Sequence, residues 1–351
     1  MNGFPHDIYQ WYSVNKRELP WRKNNDPYKI WISEIILQQT RVVQGINYYN
    51  RFVDEFPTVY ELANAKEDQV LKLWQGLGYY TRARNLHLTA KVIVENFNGV
   101  LPNDYEKILS LKGIGNYTAA AIASIAFNLP FATVDGNIYR LITRYFGIFT
   151  PIDSEKGKSE IQKIATRILP EKNSGLHNQA LMEFGALQCV PKSPDCKSCP
   201  LSHSCYASKN KLTSQLPVKK NRIKQRTRYF YYYIIENKEH LLLEKRTGND
   251  IWKNLYQFPL VESKNELSDA DFLNLEIPSF KCEKIIIKSV SPVIKHILTH
   301  QTLYARFIRI ETDVNCLNHS NFVRVNKKDI HKFAVPKLLE QYFKKSNLFE
   351  N

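Results

Sequence analysis

The feature that most constrains this chain is a change of hydrophobic period near Cys205. Before it, apolar residues recur every three or four positions; beyond the basic stretch that follows, they alternate with period two. The first spacing builds amphipathic helices and the second builds half-buried strands. One layer architecture cannot serve both periods. We therefore expect an all-helical domain over 1–208, a linker over 209–228 and a smaller mixed α+β domain over 229–351. A length of 351 residues accommodates two domains.

Start signals support the helical part. Asp26-Pro27 places an N-cap before a proline at the first helical position, opening a helix through Trp31, Ile35 and Ile36 toward Phe52, with Gly45 as a point where it breaks. Thr58-Val-Tyr-Glu61 is a capping box, Asn103-Asp104 opens a helix to Leu111, and Thr118 to Phe127 is Ala-rich enough to be buried. In the second part, Tyr229–Ile235 and His240–Lys245 flank Asn237-Lys-Glu239 as a hairpin, and Thr302 to Ile310 alternates. Helical spacing returns from Asp329 to Lys345, with Pro336 in the first turn of its main segment.

Charge points to the partner. Forty-nine Lys and Arg against 34 Asp and Glu leave +15, which favours a polyanion. Eight of those cations fall between Lys209 and Arg228 without one acid, as in a solvated linker lying along an anion. No apolar run approaches the ~18 residues of a membrane span, and the first residues lack the succession of a signal peptide. The expectation is a cytoplasmic protein with no membrane partner.

Cys189, Cys196, Cys199 and Cys205 are separated by six, two and five residues. In a reducing compartment such crowding reads as a metal site rather than bridges. Structural zinc usually takes two close pairs set a dozen or more residues apart, whereas a compact run of four thiolates suits an iron–sulfur cubane. Cys282 and Cys316 read as packing residues.

Three further segments carry chemistry. Leu111-Lys112-Gly113-Ile-Gly115-Asn-Tyr117 lies between helical stretches, and its two glycines let a backbone turn tightly while the next helix offers free N–H groups to a phosphate. A helix C-cap followed by a turn is the bland alternative. Thr133-Val-Asp135-Gly-Asn137 is, taken alone, a turn. Glu34 has Ile30, Trp31 and Leu37 as its helical neighbours, apolar company that raises a carboxyl pKa toward the range of a general acid; a first-turn glutamate facing solvent is the competing reading.

The order and spacing of these segments resemble the MutY family of adenine DNA glycosylases, within the endonuclease III helix-hairpin-helix superfamily. The match runs through Leu19-Pro-Trp21-Arg22, Asp26-Pro-Tyr28, Ser33-Glu34 to Gln38-Gln39-Thr40, Leu77-Gly-Tyr79-Tyr80 with Arg82 and Arg84, the hairpin, Val134-Asp135-Gly-Asn137 and the four cysteines. The resemblance implies that Glu34 protonates a flipped adenine, that Asp135, with Asn137 in the same turn, stabilises or traps the sugar cation, and that the cysteines hold a [4Fe-4S] cluster. It also implies that Trp21 and Arg22 line the base pocket, Gln39 and Tyr79 wedge into the duplex, and Leu37, Arg82, Lys112, Gly113 and Gly115 contact the DNA substrate. Tyr117 stands where lyase relatives carry a Schiff-base lysine; a phenol cannot form that bond, so the implied enzyme is monofunctional and leaves an abasic site.

Gly248 to Pro259, including Trp252 and Phe258, resembles the entry to a Nudix-type fold, but no Arg-Glu-x-x-Glu-Glu box follows between Leu260 and Ile277, which argues against pyrophosphohydrolysis. The family's C-terminal domain recognises 8-oxoguanine, often through Phe-Ser-His; here the corresponding residues are Leu298-Thr299-His300. The implied partner is double-stranded DNA carrying 8-oxoguanine:adenine or guanine:adenine mispairs, bound by a monomer. An endonuclease III-like lyase, a non-catalytic DNA-structure binder and a Nudix hydrolase with a DNA-binding attachment are the alternatives.

Overall fold

The structure is a computed structural model that describes residues 3–220, 225–268, 270–271, 285–312 and 322–346. Cys282 and Cys316 lie outside them, as does part of the stretch searched for a Nudix box. The chain forms two compact units, one of residues 1–64 and 85–221, the other of 65–84 and 222–351.

The first unit is helical: α1 (Gly3–Asn15), α2 (Pro27–Leu37), α3 (Val42–Glu55), α4 (Val59–Asn64), most of α6 (Thr81–Phe97), α7 (Tyr105–Ser110), α8 (Asn116–Phe127), α9 (Gly136–Phe146), α10 (Glu155–Ile168), α11 (Ser174–Leu187) and the short α12 (Tyr206–Lys209). Asp26 caps α2 by accepting from the Tyr28 and Lys29 amides, and Asp104 caps α7 by accepting from Lys107 N. The Thr58–Glu61 box forms, with the Glu61 carboxylate accepting from Thr58 N at 3.0 Å. The break expected at Gly45 falls instead at Gln38–Arg41, where Gln39 takes a left-handed φ of 57°. Gly45 sits inside α3, since a helix with tertiary support tolerates the ~1 kcal/mol that one glycine costs.

Helix α8 is the centre of this unit. Thr118 through Ser124 are all buried, and α2, α7 and α11 pack around the helix, an arrangement its small alanines permit. A second core joins the two ends of the unit's sequence: Phe4, Ile8 and Tyr12 of α1 pack with Ile138, Leu141 and Ile142 of α9 and with Ala180, Leu181 and Phe184 of α11. Burial of such side chains supplies ~1.5–3 kcal/mol each before entropy is counted.

The second unit is built on one mixed sheet. Its strands are β1 (Arg226–Glu236), β2 (His240–Lys245), β3 (Tyr256–Gln257), β4 (Leu260–Ser263), β5 (Ile285–Val290), β6 (Ile294–Ile297), β7 (Gln301–Thr312) and β8 (Val323–Asn326). The path runs β3-β2-β1-β7-β5, with β4, β6 and β8 pairing β1, β7 and β2. β1 and β2 form the expected antiparallel hairpin, whereas β1 and β7 run parallel, from Arg226 opposite Gln301 to Glu236 opposite Glu311. Period two divides β1 cleanly. Phe230, Tyr232 and Ile234 join a core with Phe307 and with Leu338 and Leu339 of the C-terminal helix Lys337–Ser346, while Tyr231, Tyr233 and Ile235 enter another with Ile308 and Ile310.

The segment 65–84, expected in the helical domain, is grouped by its contacts with this sheet. Its helix α5 (Glu67–Leu73) has an acidic first turn. Asp68 accepts from Lys245 Nζ at 2.7 Å and Tyr256 OH at 3.0 Å, and Glu67 accepts from Asn254 Nδ2 at 2.5 Å. Lys72 Nζ donates to Phe333 O at 3.0 Å and Arg84 donates to Lys253 O at 2.8 Å.

Candidate active site

Glu34 lies on the eighth position of α2, after a proline start that fixes the helix register. Every residue from Ile30 to Ile36 is buried, and Glu34 itself is 8% exposed. Burial pushes its carboxyl up to about 7; a hydrogen bond from Tyr117 opposes this, the charge of Asp135 adds to it, and Arg22 pulls it down.

Tyr117 reaches Glu34 from the first turn of α8. The preceding hairpin turns at Gly113, whose φ of 84° favours glycine, and Gly115 is the helix N-cap. The phenol is half-buried and is held in its neutral form by burial and by the nearby Glu34 and Asp135 charges; its single proton points to Met182 Sδ at 3.3 Å, a weak acceptor that gives way to the Glu34 carboxylate when that group is charged.

Asp135 is the N-cap of α9. Its Oδ1 accepts from Asn137 N at 3.0 Å and Ile138 N at 2.8 Å, and its Oδ2 accepts from Asn137 Nδ2 at 2.7 Å. Burial raises its pKa, while these three donors and Arg140 act against the rise. Arg140 continues the network: its guanidinium donates to Asn137 Oδ1 at 2.9 Å, to Gly185 O at 2.5 Å and to Cys189 O at 2.7 Å. The turn that reads as ordinary Asp-Gly-Asn is thus both a cap and one wall of a cavity.

That cavity, of about 960 Å³, brings together residues far apart in sequence. Glu34, Tyr117, Asp135 and Asn137 line it, and so do Trp21, Arg22, Leu37, Gln39 and Gly115. Trp21 is held edge-on to Tyr49, with centroids 5.1 Å apart. Lys112 and Gly113 lie outside it, exposed on the hairpin, with Lys112 O accepting from Thr89 Oγ1 at 2.8 Å.

Sequence reasoning missed Glu183. It is 1% exposed on α11, accepts from Arg17 N at 2.9 Å, Arg17 Nε at 2.8 Å, Arg17 Nη2 at 2.7 Å and Arg22 Nη2 at 2.9 Å, and lines the same cavity. Burial works against its charge, but the two guanidinium groups win and hold its pKa at about 2. The signal that singled out Glu34 was present here too: a lone acid in the apolar run Ala180-Leu-Met-Glu183-Phe-Gly. Arg22, expected to line the base pocket, lines this cavity while hydrogen-bonded to this acid.

The remaining residues belong to the sheet-bearing unit. Tyr79 takes a left-handed φ of 48°, is 42% exposed, and its hydroxyl hydrogen-bonds the Thr299 hydroxyl. Arg82 stacks over Trp74 at 5.2 Å and donates to Gly78 O at 3.2 Å, bracing the turn that presents Tyr79. Leu298 packs against the sheet core and closes a tight turn by donating N–H to Gln301 O at 2.8 Å, leaving Thr299 and His300 exposed at the tip.

Cys189, Cys196, Cys199 and Cys205 line one small cavity at the end of the helical unit, with Arg144 beside them. Arg144 approaches Cys189 Sγ at 3.5 Å and donates to Val190 O and Pro191 O, while Cys205 Sγ donates to Arg144 O at 3.5 Å. Among the described residues no three His, Cys, Asp or Glu side chains converge closely enough to hold one metal ion.

Known families match the helical part of the chain and the sheet-bearing part, and the first of these matches includes residues 65–84. Residues 32–171 match the HhH-GPD superfamily of base excision DNA repair proteins, and residues 230–345 match the NUDIX domain family. A thermostable thymine-DNA glycosylase superposes with a TM-score of 0.56 at 29% identity, covering 60% of this chain and 96% of that one. Endonuclease III bound non-covalently to DNA shares the fold at 21% identity and a TM-score of 0.52, with the same coverage. The adenine DNA glycosylase of Buchnera aphidicola subsp. Baizongia pistaciae (strain Bp) is 40% identical over 304 residues, 86% of this chain and 84% of that protein. Likeness of that extent, spanning both units, means that this chain belongs to the adenine DNA glycosylase family.

Proposed function

We propose that this chain hydrolyses the N-glycosidic bond of adenine opposite 8-oxoguanine, or guanine, in double-stranded DNA and leaves an abasic site without cutting the strand. The observation that carries the reading is the meeting of Glu34, Tyr117 and Asp135 in one cavity. With a pKa near 7, Glu34 holds its proton often enough to give it and loses it readily enough to act. It protonates the flipped base; the electron pair of the breaking C–N bond goes to that base, and the sugar becomes an oxocarbenium-like cation. Asp135, whose charge the helix N-terminus and the Asn137 side chain favour against the effect of burial, faces that cation. Glu34, now a carboxylate, takes a proton from the water that adds to the sugar. Tyr117 keeps its proton throughout and orients Glu34.

Extruding a base requires a wedge and a grip on the other strand. Gln39 and Tyr79, both in left-handed conformations and exposed, suit the wedge, and the Thr299 hydroxyl suits a hydrogen bond to the lesion. The surplus of +15 supplies salt-sensitive affinity for the backbone.

Cys189, Cys196, Cys199 and Cys205 would hold a [4Fe-4S] cluster. Four thiols of one compact run face one cavity, the donor set a cubane takes, one thiolate for each iron. When bound, such a cluster cross-links the 189–205 loop to itself.

The test is single-turnover adenine release from an 8-oxoguanine:adenine duplex, with and without hot alkali, for the natural chain and for Glu34→Gln. Release that needs alkali to reveal strand breaks, and that the variant loses, is the expected result. Unchanged release by Glu34→Gln overturns the assignment of the acid, and breaks without alkali overturn the monofunctional reading.

A further inference from the structure

A second cavity, of about 450 Å³, lies in the helical unit beside the first. Arg17, Arg22, Ile125 and Gln179 line both, so these four side chains stand between them. Three of the four are long and unbranched at Cβ, and such side chains reposition by rotamer change without moving the backbone. On the active-site side, Arg17 and Arg22 are tethered to Glu183; on the other, Gln179 accepts from Tyr12 OH at 3.2 Å. We propose that this second cavity is the exit chamber for the free purine base, reached from Glu34 through the partition of Arg17, Arg22 and Gln179.

The proposal rests on the glycosylase reading above and follows from a steric problem in it. On that reading the abasic sugar, still joined to the DNA, stays beside Asp135 after cleavage, on the side from which the base came in. The base must wait for the DNA to leave or depart by another route. A chamber that shares a wall of long side chains with the active site is such a route, opened when Arg22 or Gln179 changes rotamer while Arg17 keeps its hold on Glu183.

The chamber's chemistry suits a neutral purine. The amides of Asn25, Asn128, Asn173 and Gln179 line it, each side chain carrying both a donor and an acceptor, the mixture a purine edge presents. The side chain of Leu176 gives it an apolar wall. The proton that Glu34 delivers balances the electron pair the base receives, so the base leaves uncharged and the guanidinium groups of the partition do not repel it.

Leu176 is 50% exposed and Asn25 is exposed; both line only the second cavity, so a large side chain at either obstructs the chamber without touching the catalytic groups. The experiment uses the full chain in single turnover on an 8-oxoguanine:adenine duplex carrying labelled adenine. Acid quenching measures bonds broken, and filtration of the unquenched mixture measures base that has left the protein–DNA complex. For Leu176→Trp and Asn25→Trp the acid-quenched rate is expected to stay within about twofold of the natural chain, while filterable base lags it by about tenfold or more. A second measurement titrates free 2-aminopurine into the protein already bound to a duplex with a stable abasic analogue. Saturable binding, weakened about tenfold by either substitution, is expected. Filterable base that keeps pace with cleavage in both variants overturns the exit chamber, as does 2-aminopurine binding that neither variant weakens. Absence of acid-quenched cleavage in the natural chain overturns the glycosylase reading instead.

Discussion

Removing the Tyr117 hydroxyl isolates one force that sets the proton affinity of Glu34, the proposed acid. Four effects compete on Glu34: burial and the Asp135 charge favour the protonated acid, and the Tyr117 hydrogen bond, with Arg22 behind it, favours the carboxylate. Burial wins, leaving a pKa of about 7. Tyr117→Phe takes away a donor to the charged form and nothing else of similar size. A hydrogen bond to a charged group contributes ~1.5–3 kcal/mol, and at about 1.4 kcal/mol per pH unit its loss raises the pKa of Glu34 by about one to two units. The sign follows directly: the acid keeps its proton to higher pH, so the alkaline limb of activity moves from about 7 to about 8 or 9. Single-turnover adenine release across that range reads the limb's position independently of its height, which the loss of an orienting contact also lowers. A limb that stays in place, or moves to lower pH, refutes the claim that Tyr117 stabilises the Glu34 carboxylate.

Other consequences are equally direct. Asp135→Asn retains a good N-cap but not the charge, so adenine release is expected to fall on the order of 10³-fold while the melting temperature moves only a few degrees; a loss under tenfold speaks against an anion beside the sugar. Glu183→Ala strands two arginines, and its depressed pKa of about 2 corresponds to about 3 kcal/mol that is present above pH ~4.5 and lost as pH falls toward 2; urea denaturation near neutrality measures it. His177 is buried, with Nε2 unpartnered among the described residues and its pKa lowered to about 4 by desolvation. The unfolded chain therefore binds the proton first, and stability drops by about 3 kcal/mol as pH falls from ~6.5 to 4, a slope that His177→Gln should flatten. Cys199→Ala is expected to lower bound iron and the broad visible absorption of a cluster, measured on protein isolated without oxygen.

What the sequence made legible was local. A cap, a capping box, a hairpin or an alternating strand is decided by neighbours within a few positions, and Asp26, Glu61, Asp104 and the β1–β2 turn stand where those neighbours put them. Three features lay beyond its reach. The parallel pairing of β1 with β7 joins residues 75 positions apart at Arg226 and Gln301, a choice made by the whole sheet. The segment 65–84 is helical in pattern, but the partners that satisfy Asp68 and Lys72 come from 245, 256 and 333, so its allegiance is invisible to a window moving along the chain. Gly45 misled for the opposite reason: a glycine's local cost is small beside the tertiary packing that keeps α3 continuous.

The site itself was half legible, and the division is instructive. That Glu34 is an acid with a raised pKa could be read from its apolar neighbours, because desolvation by its own helix is a local effect. That it shares a cavity with Asp135 could not, and this sharing is what separates their roles. Both carboxylates are buried and burial raises both, yet Glu34 sits mid-helix with one strong donor, the Tyr117 phenol, whereas Asp135 sits at a helix N-terminus with two backbone amides and the Asn137 side chain pointing at it. Two like charges in one cavity cannot both be carried cheaply, so the proton goes to the carboxyl with fewer donors. Asp135 then divides its own labour: Oδ1 is committed to the Asn137 and Ile138 amides at the start of α9, and Oδ2, held among the described residues by the Asn137 side chain, is the oxygen left to meet a cation. The cap that begins α9 and the anion that the reaction needs are thus the same group, used through different atoms.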